Sequence, residues 1–123
     1  MATLNGEGAK LRILIDAIPL PAFQGDLTGT VVAANRPAEQ LLNLQQAEMV
    51  GTRYDQPALE IADVDGSPID FGHSPVPRAL AGETVRDYPV RAIVRGREEP
   101  LFLCLNASPI FADDMSISGA LVT

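Results

Sequence analysis

His73 is the only histidine in the chain; it follows Asp70 by three residues and stands beside Ser74, with Ser67 a little before it. A base, a carboxylate and a hydroxyl are the parts of a hydrolytic triad, but such a site needs them assembled in space around a substrate. The pattern that presents a nucleophilic serine on a sharp turn, Gly-x-Ser-x-Gly, does not occur. His73 is therefore read as a solvated loop histidine, and no residue is expected to be catalytic. Asp63, Asp65 and Asp70 put three carboxylates into one short acidic stretch. A calcium loop would also need a full ladder of ligands and a closing glutamate, and the stretch has neither. Cys104 is the only cysteine, so no internal disulfide forms. With His73 it gives two ligands far apart in sequence, too few for a structural zinc site, and no metal is expected. A Walker loop, a kinase-type glycine loop and a phosphoacceptor-histidine helix are all missing from these residues.

The elements that would position these residues are organised around Gly25 to Leu44. Asp26 to Gly29 reads as a turn, with Gly29 able to take a positive φ. Val31 to Ala34 is a short apolar run, suited to a buried strand. Asn35 ends that strand and can cap a helix, because its side-chain oxygen accepts from the free N–H groups of the first turn. Pro37 falls where its missing N–H costs little, and Ala38, Leu41 and Leu42 form one apolar stripe. Upstream, Leu11, Leu14, Ile15 and Ile18 recur at helical spacing and predict an amphipathic helix from about Ala9 to Ala17, ended by Pro19. Pro21 to Gln24 reads as a first strand, and Gln46 to Met49 as one helical turn closed by Gly51. Thr52 to Asp70, carrying Pro57, Gly66 and Pro68, shows no period and reads as loop. Ser74 to Gly82 reads as a helix with Val76, Ala79 and Leu80 toward the core.

The remainder is strands. Val85 to Arg95 alternates, with Tyr88, Val90, Ala92 and Val94 on one side. Pro100 to Phe111 is its antiparallel partner, with Leu101, Leu103, Leu105 and Ala107 on one face and Phe102, Cys104 and Asn106 on the other. That second face is too apolar for open solvent, so the N-terminal helix or another subunit is expected to cover it. Ile117 to Val122 is the last strand.

A length of 123 residues fits one domain with a single core. Hydrophobic residues at 46% with 20% charged describe a globular chain, not a disordered one. A net charge of −7 argues against a phosphate-neutralising surface, so no nucleic-acid partner is expected. No apolar run reaches the roughly 18 residues of a membrane span, and Met1 to Lys10 lacks the apolar centre of a signal peptide. The segment is expected to stay out of the membrane and to be cytoplasmic.

The glycine turn, apolar strand, asparagine and helix ending in Leu41-Leu42 resemble the PAS sensory domain. Met49-Val50-Gly51, Asp65-Gly66, Pro77 to Glu83 and Ala107-Ser108-Pro109-Ile110 follow in the family's order with similar gaps, so that the resemblance spans roughly residues 10 to 123. It implies an α+β PAS fold: an antiparallel sheet of about five strands, short helices on one face and an N-terminal flanking amphipathic helix. Residues 1–18 would be the flanking helix and 19–123 the sensory domain. In the family, the helix before the Gly82 position borders a ligand cavity. The resemblance implies a cavity lined by Leu41, Ala79, Leu80, Val90, Ala92, Leu103 and Leu105, and a homodimer held through Leu11, Leu14, Ile15 and Ile18.

The resemblance also implies a sensory role in a bacterial signalling protein, a histidine kinase of a two-component system first. The module would bind a small ligand, or mediate dimerisation, and so regulate an output domain of the same parent chain. The alternative is a ligand-free interaction or dimerisation module of a diguanylate cyclase or transcription regulator, favoured if Leu80, Val90, Leu103 and Leu105 fill the cavity. Haem-binding members carry a histidine near the position of His73, but Pro75 and Pro77 disturb the helix that would aim it. Flavin-binding members of the photosensory type place a cysteine in an Asn-Cys-Arg-Phe-Leu-Gln motif on the middle helices, whereas Cys104 lies in a strand. Neither haem nor flavin is expected, and a small organic ligand is compatible with the pattern. Members commonly run on from the last strand into an Asp-Ile-Thr-like motif and a helical linker, so a module excised from a longer parent is expected.

Overall fold

Asn35 is the hinge of the chain's local order: it closes a strand and starts a helix, as its cap geometry requires. In the computed structural model, which describes residues 15–123, strand β1 (Phe23–Asp26) pairs antiparallel with β2 (Val31–Ala34). Gly29 turns between them at φ +79, and the Tyr54 ring occupies the place a Cβ on Gly29 would need. Both the backbone and the packing thus demand glycine there. Helix α1 (Arg36–Leu42) follows, with the Asn35 side chain accepting from the Ala38 N–H at 3.1 Å and proline in its first turn. Helix α2 (Gln46–Met49) starts with a capping box between Gln45 and Glu48. The first strand begins two residues later than the apolar pattern suggested, since its partners are Ala34, Ala33 and Val31.

The sheet has six strands, not about five. Its order is β2-β1-β6-β5-β4-β3, with β3 (Glu60–Ala62), β4 (Val85–Ile93), β5 (Leu101–Phe111) and β6 (Ile117–Val122), and each pairing is antiparallel. The extra strand is Glu60–Ala62, which pairs with Ile93, Ala92 and Arg91. Three residues from an aperiodic, proline-bearing stretch carry no strand pattern of their own; the free edge of β4 makes them a strand. Within β4 the register shifts between Val85 and Tyr88, which oppose Ala107 and Leu105, with Asp87 at φ 54 between them. One extra residue there keeps both Val85 and Tyr88 on the inward face.

A 3-10 turn (Phe71–His73) leads into helix α3 (Pro75–Leu80), and the helices cover the inner face of the sheet. Ala34, Leu42, Leu44, Met49, Ala92 and Val94 form one buried cluster there, and Ala79, Val85, Ala107 and Ala120 another. A third cluster lies on the outer face, where Ile15 and Ile18 settle on Ala22, Ala33 and Leu121. Residues 15–16 are helical; the rest of the expected N-terminal helix up to residue 14, with Leu11 and Leu14, lies outside the described residues. The cover expected over Phe102 and Cys104 is not supplied by the described residues. Ile15 and Ile18 sit over the β2-β1-β6 half of the outer face, while Phe102 is 62% exposed and Cys104 is exposed on the other half. Among the described residues no helix is long and apolar enough to cross a membrane.

Candidate functional site

Alternation along β4 and β5 turns Val90, Ala92, Leu103 and Leu105 toward the helices, and these side chains form the floor of a cavity of about 440 Å³. Phe23 of β1, Val31 of β2, Ile61 of β3, Tyr88 of β4 and Val122 of β6 extend that floor. Leu41 and Leu42 of α1, Met49 of α2, and Pro75 and Val76 of α3 form the opposite wall. The irregular segment from Thr52 to Leu59 closes one side together with Ile69 and Phe71. Ala92 is fully buried in the floor, in the cluster with Leu42 and Met49.

Of the residues expected at a cavity, Leu41, Val90, Ala92, Leu103 and Leu105 stand on its wall. Ala79 and Leu80 are not on the wall but directly behind it. They pack with Val85, Ala107, Ala120, Tyr88 and Val122 in the second inner cluster. The reason is the shortness of α3: its first turn presents Pro75 and Val76 to the cavity, and its second turn already rests on β5 and β6. Ile15, expected at a dimer contact with Ile18, is 3% exposed against Ala22 and Ala33. Phe23, Val31 and Met49 were not singled out as wall residues, although strand alternation and the apolar character of α2 carried the signal. Tyr54, Leu59 and Phe71 carried none, because their segments have no period.

Three of the polar side chains on the wall, Thr52, Arg53 and Ser74, are already engaged. The Thr52 hydroxyl donates to the Met49 carbonyl at 2.7 Å, and the Ser74 hydroxyl donates to the Phe71 carbonyl at 2.6 Å. Arg53 pairs with Asp55 at 3.1 Å on the exposed rim, and that carboxylate raises the guanidinium pKa further. His73 lies outside this lining. Its imidazole Nδ1 meets the Asp70 carboxylate at 2.6 Å, with the two side chains 85% and 71% exposed. The hydrogen bond from His73 lowers the Asp70 pKa. With the Ser74 hydroxyl committed to Phe71, the trio of His73, Asp70 and Ser74 has no free nucleophile. Asp65 accepts from the Ser67 N–H and hydroxyl, and Asp63 from the Val64 N–H, so these carboxylates close turns. Among the described residues no three His, Cys, Asp or Glu side chains are grouped to hold a metal ion.

The two cofactors associated with this kind of cavity can be tested on its wall. A haem ligated by His73 does not fit, since the imidazole is on the surface and bound to Asp70. A flavin adduct on Cys104 does not fit either: Cys104 borders the cavity within β5, but alternation turns its thiol to the exposed outer face.

No protein-family model matches the chain, and no curated protein matches it. Solved structures do. The PAS domain of nitrogen regulation protein NR(II) from Vibrio parahaemolyticus superposes with a TM-score of 0.61 at 19% identity, over 91% of this chain and 94% of that one. A domain of the sensory box sensor histidine kinase/response regulator from Geobacter sulfurreducens gives 0.60 at 17%, over 97% and 94%. The Rhodobacter sphaeroides LOV protein gives 0.70 at 17%, over 95% of this chain and 65% of that one. At such identities the likeness is one of fold.

Proposed function

We propose that this chain, which has the PAS fold, is the sensory module of a bacterial signal-transduction protein, a histidine kinase first, and that it reads a small ligand held in its cavity. The observation that carries this reading is the cavity itself. A half-open cleft of about 440 Å³ remains between the sheet and the helices although Val90, Leu103 and Leu105 project toward it. That volume falls within the roughly 300–1,000 Å³ of small-molecule sites. The kinase assignment draws on the fold likeness to a sensor histidine kinase domain. The chain itself supplies no catalysis.

A ligand that binds one arrangement of α3 and the Thr52–Leu59 segment better than another shifts the population by its differential affinity. The exit runs through residues 15–20. Leu20 and Pro21 stand on the cavity wall, and the carbonyls of Ile15, Ile18 and Leu20 are held by the Asn35 amide. In this reading residues 1–18 are the flanking helix that carries the bias to a partner protomer and an output domain, and residues 19–123 are the sensor, working in the cytoplasm. The test is Ala92→Phe in the parent protein, which fills the cavity from its floor. The expected result is loss of the ligand response with the circular dichroism spectrum retained. An undiminished response would leave the interaction module of a diguanylate cyclase or transcription regulator as the better reading.

A further inference from the structure

We infer that the occupant of the cavity is an uncharged, largely apolar small molecule; this rests on the sensory reading above and narrows it to a ligand class. Among the described residues, the cavity wall carries no Asp, Glu, Lys or His side chain. Its one cation, Arg53, lies on the exposed rim and is neutralised by Asp55 at 3.1 Å. The Thr52 and Ser74 hydroxyls donate to Met49 and Phe71 carbonyls, so they are not free to donate to a ligand. The other polar side chains on the wall, Tyr54, Tyr88, Asn106 and Thr123, are uncharged and offer a ligand hydrogen bonds but no counter-charge. A carboxylate or phosphate entering this space would lose part of its hydration and meet only Arg53, which is already paired with Asp55. The chain's net charge of −7 adds long-range repulsion of anions. An apolar ligand pays no charge-desolvation cost, and the mostly aliphatic and aromatic wall offers it contact.

The test compares three probes on the whole chain: 1-octanol, octanoate and citrate, near neutral pH. Binding is read from the methyl NMR signals of Val90, Leu103 and Leu105 in the unmodified protein. The expected result is that octanol shifts these methyl signals and binds at least about tenfold tighter than octanoate, with citrate silent. Octanoate binding as tightly as octanol, or citrate shifting the same methyls, would overturn the ligand class while leaving a ligand-reading cavity in place. No methyl shift with any of the three would overturn both.

Discussion

The Asn35 side chain holds more of this molecule together than any other single polar group described. It is fully buried, and its Oδ1 accepts from the N–H groups of Ala22 at 3.0 Å and Ala38 at 3.1 Å. Its Nδ2 donates to the carbonyls of Ile15, Ile18 and Leu20 at 3.2, 3.1 and 2.7 Å. One amide thus ties the incoming segment to the edge of β1 and to the start of α1. Asn35→Ala would strand at least three of these backbone groups away from water, each costing about 1–3 kcal/mol. The expected loss is about 3 kcal/mol of unfolding free energy in urea, with protection from hydrogen exchange falling first at residues 15–22. A loss below about 1 kcal/mol would mean that water replaces the amide. The capping half of this role was legible from an asparagine between an apolar strand and a Pro37 helix. The half that reaches back to Ile15–Leu20 was not, because nothing in residue spacing says which distant carbonyls will face a buried amide.

At the scale of elements, three turns use one device. Asp26, Asp65 and Asp114 each accept from the N–H and the hydroxyl of the residue two places on: Thr28, Ser67 and Ser116. In each the side-chain hydrogen bond from that hydroxyl is the main cause of a lowered carboxyl pKa. A carboxyl whose pKa is depressed by folding stabilises the fold while ionised. That contribution is present above the unfolded value and is lost as pH falls through the folded one. The urea midpoint is therefore expected to drop as pH is lowered through the ordinary carboxylate range. Asp26→Asn, which keeps an acceptor but binds no proton there, should flatten the β1–β2 part of that slope. A slope unchanged in the variant would assign the acid sensitivity to other carboxylates. Of the three, Asp26 to Gly29 was readable in advance as a turn. The carboxylates of Asp63, Asp65 and Asp70 raised the thought of calcium because sequence spacing cannot show that each already has a local partner.

At the scale of the whole molecule, the two faces of the sheet have different fates. The inner face carries helices and the cavity, and half of the outer face is closed by Ile15 and Ile18. On the other half Phe102 of β5 is 62% and Ile93 of β4 43% exposed, with Arg91, two residues before Ile93, directly opposite Phe102. An apolar pair left open in this position suits a surface shared by two copies of the chain. If two copies pair through this face, Phe102→Glu converts the dimer to a monomer, as read by light scattering. Because the side chain is exposed, the monomer's own stability should move by no more than about 0.5 kcal/mol. A dimer that survives Phe102→Glu but is lost in Leu14→Glu would assign the contact to the flanking helix instead.

Local chemistry alone settled much of this protein. Asn35 as a cap, Pro37 and Pro75 in first turns, the β2 run of valine and alanine, and the alternation of Val90, Ala92, Leu103 and Leu105 depend only on neighbours within a few residues. Such preferences survive in any context that does not oppose them. The arrangement in space settled the rest. Glu60–Ala62 is a strand because the β4 edge offers hydrogen bonds to it, and Gly119 must be glycine because a Cβ there would run into the Gly25 carbonyl of the adjacent strand. Ala79 and Leu80 left the cavity for β5 and β6 because a six-residue helix has turned away by its second turn. The cavity is of the same kind: it is a volume bounded by residues far apart in the chain, and its size follows from how closely the sheet and helices approach, which no stretch of sequence contains.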